Sequence, residues 1–449
     1  MEIPEHFTEL SIRMSEVLDD SGAGKDTVMT RRQTYLRMDR LRTIAVRLNG
    51  HSTEFYHFGS QSEGTTTPGL QSDIDLLQSD GYANVIRLWG DWKAGIINLL
   101  MLNDDITPPQ QYLLQVIRND TPEPMTSLWL DECVRKDSGE VLFSAERLKQ
   151  HYEHCIIKQR MARFGEAIKK GPSVSFVPNV DNVKALPVLK PLPEIQHWID
   201  RCNSKHWPPA QLLDAARAAP CFLVPAGHQD SDYKREEWRL SPNLIERMLM
   251  FSFNMTQIKC CILLKIIKKS LFANIVGDSF TSFHCKTIMF YTIERTNASL
   301  WCEHNLMFLV RLCLHVLRKW LRLGRLPHFI IEGVNLFDGK FPKVQQRRLL
   351  VYIDSMIKNN LEDVFYIRVD NIGYRLHACS LRRIGEAGEL GRLRLRNNIS
   401  LFLKFVYMEV YIFLLNDLIY KLQGSNTTFE QGIKYALCNL FVMSSNVRW

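Results

Sequence analysis

The chain of 449 residues has no internal repeat, no regular cysteine spacing and no long apolar run free of charge. Each absence excludes something. Eleven cysteines, an odd number without pattern, do not make the framework of a disulfide-stapled secreted domain. The thiols are expected to be reduced and the protein cytoplasmic, with the nucleus as the other compartment; the sequons at Asn297, Asn398 and Asn426 are then silent. The first residues, MEIPEHFTEL, carry acids where a secretory leader has a basic and then an apolar run, so no leader is expected. The longest apolar stretch, 399–422, holds Lys404, Glu409, Asn416 and Asp417, each costly inside a bilayer, so a packed or interfacial helix is expected and no transmembrane span. Charge of one sign is not extreme either: a net +8 permits a polyanionic partner without requiring one.

What is present changes character along the chain. Residues 24–49 have helical spacing, with Leu41, Ile44, Ala45 and Leu48 as the apolar stripe and arginines on the remaining faces. From 55 to about 118, short apolar runs such as INLLML and YLLQVI alternate with turn-rich stretches, which predicts strands of a mixed sheet. Residues 142–170 read as a helix with a basic end, and SVSFVPNVDNVKALPV after them as extended chain. From about 240 to 326 the pattern is helical, ending at Gly324. An Arg-rich segment and the apolar run follow residue 376.

The segment FGSQSEGTTTPGLQSDIDLL, 58–77, concentrates the chemistry. Asp73 and Asp75 stand at i and i+2, which on a strand aims both carboxylates to one face. Two carboxylates so close repel unless one takes a proton or a cation lies between them. Mg²⁺ suits such a site, because it takes a few carboxylate oxygens together with substrate phosphates. Gly59 and Ser60 fit the same chemistry: a glycine lets backbone N–H groups approach a phosphate, and the serine adds a hydroxyl.

The string GSQSEG…SDIDLL resembles the first signature of the nucleotidyltransferase fold, in the family of cyclic GMP-AMP synthase (cGAS), the cGAS-like receptors and the Mab-twenty-one-like proteins. VDNVKAL at 180–186, CFLVPAG, EEWRLSPNLIE, SFHCKTIMF and FIIEGVNLF are similar to further landmarks of that family, in its order, over about residues 24–345. The resemblance implies an α+β, bilobal architecture: a mixed β-sheet lobe with an N-terminal spine helix (1–235), a helical HhH/H2TH-like second lobe (236–345) and a C-terminal extension (346–449). It implies that Asp73, Asp75 and Asp181 hold Mg²⁺ or Mn²⁺ and carry catalysis, and that Gly59, Ser60, Arg239, Ser241 and Lys286 contact the nucleotide. The expected function is Mg²⁺-dependent synthesis of a cyclic dinucleotide from ATP- or GTP-type nucleotides, switched on by double-stranded RNA or DNA, in innate immune sensing.

Departures from the family's pattern support a rival. No aromatic stands in LHVL, 314–317, where synthases stack the base, and Pro242 and Asn243 replace a Phe and a Ser. The alternative is a non-catalytic Mab-twenty-one-like interaction or developmental protein that keeps the fold. No zinc is expected, since Cys260 and Cys261 read as core residues of one helix and His284 as a helix residue near the lobe interface. Arg31, Arg32, Arg37 and Arg40, with Lys158, Arg160, Lys169 and Lys170, are the expected nucleic-acid contacts; Lys265, Lys268 and Lys269 form a third basic cluster. The competing reading of all three clusters is a solvated charged face.

Overall fold

The computed structural model describes residues 5–103, 107–128, 130–158, 167–175, 177, 179–188 and 192–377. Arg160 and the run 399–422 lie outside the described residues, as does the Arg-rich segment before that run.

Two helices open the chain, α1 (Glu5–Leu18) and α2 (Lys25–Leu48). β1 (Glu54–Phe58) runs straight into the one-turn α3 (Gly59–Glu63), followed by β2 (Ile74–Ser79), β3 (Ala83–Ile86), β4 (Ile97–Leu102) and β5 (Gln111–Ile117). β6 (Cys133–Arg135) and β7 (Val141–Phe143) precede α4 (Ala145–Lys158), a hairpin of β8 (Ile168–Lys170) and β9 (Ser173–Ser175), and β10 (Val180–Val188). α5 (Pro193–Cys202), α6 (Ala210–Ala218), β11 (Cys221–Val224) and β12 (Trp238–Ser241) complete the sheet lobe. The described residues after it are helical: α7 (Asn243–Phe251), α8 (Met255–Ile267), α9 (Ala273–Val276), α10 (Ser282–Arg295), α11 (Leu306–Leu323), α12 (Lys343–Lys358) and α13 (Ile372–His377). β12 lies beyond residue 235, and α12 runs through residues 345 and 346.

The sheet is mixed, in the order β1-β2-β10-β11-β12-β5-β4-β3, with β7 on β5 and β6 on β7. β2 and β10 are parallel neighbours, and so are β3 and β4; the other pairs are antiparallel. The expected runs INLLML and YLLQVI are β4 and β5, nearly all buried. In the second lobe α8 is buried along almost its whole length, which its sequence QIKCCILLKII allows because nearly every residue is apolar. Asn254 and Gln257 cap it reciprocally, and Gly324 ends α11 in a left-handed turn.

One packing expectation fails. The face of α2 turned to the body consists of Val28, Arg31, Arg32, Tyr35, Met38, Asp39 and Ala45, whereas Ile44 and Leu48 are 47% and 44% exposed. Arginines occupy this inner face because their guanidinium groups find acceptors there, as the site below shows.

Candidate functional site

β2 and β10 bring the carboxylates together. Their parallel register sets Asp181 beside Asp75, so the two side chains share one face of the sheet. Asp73 lies just before β2. The three expected carboxylates, more than a hundred residues apart in sequence, are therefore neighbours. Burial, then Asp181 and Glu63, push the Asp75 carboxyl up to about 7, with Lys286 pulling the other way. Burial and Asp73 also raise Asp181, opposed by Lys170.

Lys170, at the tip of the β8–β9 hairpin, reaches into this cluster. Its Nζ donates to Asp73 Oδ2 at 3.1 Å and stands 3.9 Å from Asp181 Oδ1. Among the described residues, no group of three or more His, Cys, Asp or Glu side chains is arranged to hold a metal ion. Of the three carboxylates, two are raised by burial and crowding. An ammonium now stands against two of the three.

Gly59 is required by close approach. Its φ is +76°, and a Cβ there would lie 1.8 Å from Asp75 Oδ2. The Gly59 backbone thus lies directly against the Asp75 carboxylate. Ser60, however, is engaged elsewhere: Lys265 Nζ donates to its Oγ at 2.9 Å, and to Thr65 O and Oγ1 at 3.0 and 2.8 Å.

That contact belongs to a clamp on the whole loop 59–72. Arg31 donates to Thr66 O at 2.6 Å, and Arg32 to Glu63 O at 2.9 Å and to Met250 O and Phe251 O. Lys269 donates to Gly69 O and Leu70 O, and Asp370 accepts from Thr67 Oγ1 and Gly69 N. A loop with this much Gly, Thr and Ser does not hold itself, so charged side chains from both lobes satisfy its backbone. This corrects the reading of Arg31 and Arg32 as nucleic-acid contacts: they are 3% and 6% exposed and point inward. Lys265 and Lys269 likewise bind the loop instead of forming a basic surface. Arg37, Arg40, Lys169 and Lys170 are exposed, Lys169 pairing with Glu153. The backbone of Lys158 ends α4.

A cavity of about 240 Å³ opens beside Asp75 and Asp181, walled by Gly59, Glu63, Arg239, Ser241, Asn243, Glu246 and Lys286. Lys286, expected to neutralise phosphate, donates to Glu63 Oε1 at 2.6 Å and lies 3.9 Å from Glu246. Burial opposes its charge, but Glu63 and Glu246 outweigh that and raise its pKa. The second oxygen of Glu63 is buried without a partner. Ser241 Oγ donates to the neighbouring Asn243 Oδ1. Arg239 is half-buried on the cavity wall, near Glu246.

The sequence pattern does not single out Glu63 or Glu246, although Glu63 stands inside GSQSEG, and it places Lys265 in a basic surface cluster instead of against the loop. His284 is buried within the helical lobe, accepting from Thr281 N and donating to Leu336 O, and burial pulls its pKa down to about 4, so it is neutral. Cys260 and Cys261 are core residues, with Cys260 Sγ 3.8 Å from Cys313 Sγ. Leu314 and Leu317 of LHVL are also in the core. Among the described residues no helix is long and apolar enough to cross a membrane.

Residues 256–354 match the family model of the Mab-21 protein HhH/H2TH-like domain. The match runs from α8 into α12 and does not reach the carboxylates of the sheet lobe. A mixed sheet lobe is thus joined to a helical lobe that is similar to the Mab-21 HhH/H2TH-like domain.

Proposed function

We propose that this chain is a nucleotidyltransferase that joins nucleoside triphosphates into a cyclic dinucleotide, and that the arrangement above is its resting form. The observation that carries the reading is the register of Asp181 beside Asp75 on adjacent parallel strands, with Asp73 just before β2 and the Gly59 backbone against them. Mg²⁺ or Mn²⁺ held by Asp73, Asp75 and Asp181 would act as a Lewis acid on the phosphates. The chain's own groups orient and neutralise. The Gly59–Ser60 backbone cradles phosphate oxygens, and Arg239, Ser241 and Lys286 line the cavity next to them. In the resting form Ser60 is held by Lys265 and Lys286 by Glu63, and the cavity is smaller than the roughly 300 Å³ at which ligand pockets begin. Nucleotide entry therefore requires the loop 59–72 to exchange these partners.

Double-stranded RNA or DNA is the proposed activator. Arg37 and Arg40 lie on the outer side of α2, and on its inner side Arg31 and Arg32 hold the carbonyls of Thr66 and Glu63. A phosphate backbone on the outer face is thus one helix away from the loop that must be released. The role in innate sensing rests on the family resemblance alone.

A second reading, a fold-keeping interaction protein without catalysis, is favoured by the internal pairing of Lys286 and Ser60 and by the core leucines at LHVL. The two separate in one assay. Purified protein is incubated with labelled ATP, GTP, CTP and UTP, Mg²⁺ or Mn²⁺, and duplex RNA or DNA. A dinucleotide that disappears in Asp75→Asn is expected. No product with any nucleotide, metal or duplex would replace the first reading by the second.

A further inference from the structure

α4 and the strand edge beside it carry a second reactive constellation, apart from the carboxylates. Cys155 and His151 lie one helical turn apart on α4, with Cys155 Sγ 3.1 Å from His151 Nε2. On the other side of the ring, His151 Nδ1 is 3.1 Å from Glu132 Oε1. Glu132 is 13% exposed and His151 is 48% exposed, so the chain runs from an anchored carboxylate through an accessible ring to a half-buried thiol. A neutral imidazole that donates Nδ1–H to Glu132 has its Nε2 free to accept the thiol proton. Nucleophile, base and a third group that orients the base are the elements of an activated cysteine.

A basic cavity begins one turn before His151, at Arg147. Arg147, His151 and Cys155 follow one another at intervals of four on α4 and so share a face. Arg147, Lys149 and Gln150 line a cavity of about 790 Å³ closed on its far side by the loop that carries Lys234 and Arg235. Four cationic side chains there face two acids, Glu146 and Glu236. Lys149 is paired with Glu146 at 2.9 Å, and Arg147 also donates to Asp131 O and Cys133 O, which fixes the guanidinium beside Glu132. The cavity thus favours an anionic occupant.

We propose that Cys155 is a site of thiol–disulfide exchange with an anionic low-molecular-weight disulfide, with His151 as base and Glu132 as the residue that positions it. His151 Nε2 takes the proton from Cys155 Sγ, and the thiolate attacks one sulfur of the disulfide. The Cys155–S bond forms, the reagent's S–S bond breaks, and the departing thiolate recovers the proton from His151. Cys155 is oxidised to a mixed disulfide and one half of the reagent is reduced to a thiol.

The test uses the full chain, glutathione disulfide as the anionic reagent and cystamine as a cationic one. Site-resolved mass spectrometry follows each cysteine. Cys302, a second partly exposed thiol that donates to Ser299 O, serves as internal reference. Expected is a Cys155 rate with glutathione disulfide about tenfold or more above that of Cys302. His151→Gln should bring it to the Cys302 rate. Glu132→Gln should slow Cys155 several-fold and Glu132→Asp restore it, with the Cys302 rate constant throughout as the sign of an intact fold. Arg235→Glu should slow glutathione disulfide more than cystamine. If Cys155 reacts no faster than Cys302, or keeps its rate in His151→Gln, the proposal is wrong; equal loss of both reagents in Arg235→Glu removes the cavity from it.

Discussion

Replacing Glu246 by Gln should stabilise the protein in a way that grows with pH. Glu246, on α7, is buried with Lys286 Nζ 3.9 Å away and His328 Nε2 at 3.7 Å. Burial pulls the pKa of His328 down to about 3, so that ring is neutral and gives no full charge to pair with. Burial pushes the Glu246 carboxyl from 4.5 up to about 7, with Glu63 adding to the rise and Lys286 and Arg239 opposing it. The sign follows from which state binds the proton. Between those two values the folded protein keeps the Glu246 proton and the unfolded chain has released it. Glu246 therefore costs nothing below about 4.5, and stability falls as pH rises through about 7. At about 1.4 kcal/mol per unit, the full loss is about 3 kcal/mol. Gln keeps the shape and carries no charge, so Glu246→Gln should match the parent near pH 4 and exceed it by about 3 kcal/mol near pH 8. Urea unfolding of both proteins at several pH values measures this. A difference that stays flat across the window would refute the reasoning, because it would mean that Glu246 is charged in the folded protein at low pH.

Three further outcomes follow from the same geometry. Lys265→Met removes the donor to Ser60 Oγ, Thr65 O and Thr65 Oγ1, and should cost about 3 kcal/mol in urea unfolding while opening 59–72 to limited proteolysis. Lys170→Gln takes the ammonium from Asp73 and Asp181 and should tighten binding of Mn²⁺ alone about fivefold, read by the free-ion paramagnetic resonance signal; unchanged or weaker binding would show that Lys170 does not compete for the carboxylates. Gly59→Ala should abolish any product formation and cost about 2 kcal/mol or more, because a Cβ 1.8 Å from Asp75 Oδ2 at a left-handed φ must displace the carboxylate.

Much of the sheet lobe was legible because short apolar or extended runs bounded by turn residues have few other uses: β4, β5 and β10 stand where INLLML, YLLQVI and VDNVKALPV predicted them. Asp73 and Asp75 were legible from their spacing, and Asp181 only through the resemblance of VDNVKAL. Less was legible on α2. The count of arginines suggested a surface for polyanions, and the helix in fact turns Arg31 and Arg32 inward, since a carbonyl-rich loop packs against it. An arginine's partner lies at no fixed distance along the chain, so no local pattern could separate these two from Arg37 and Arg40.

While 142–170, expected as one helix, holds α4 and then β8, the sequence by itself determined the strands β4, β5 and β10, the helical pattern from about 240 and the pairing of Asp73 with Asp75. Those are properties of neighbours along the chain. Only the tertiary structure decided that Asp181 lies beside Asp75, that Lys170 stands against the carboxylates, and that Ser60 and Lys286 are held by Lys265 and Glu63. The physical reason is that a charge buried between two lobes is satisfied by whatever group the fold brings within about 3 Å, and that choice is made by packing over hundreds of residues, not by spacing along a few.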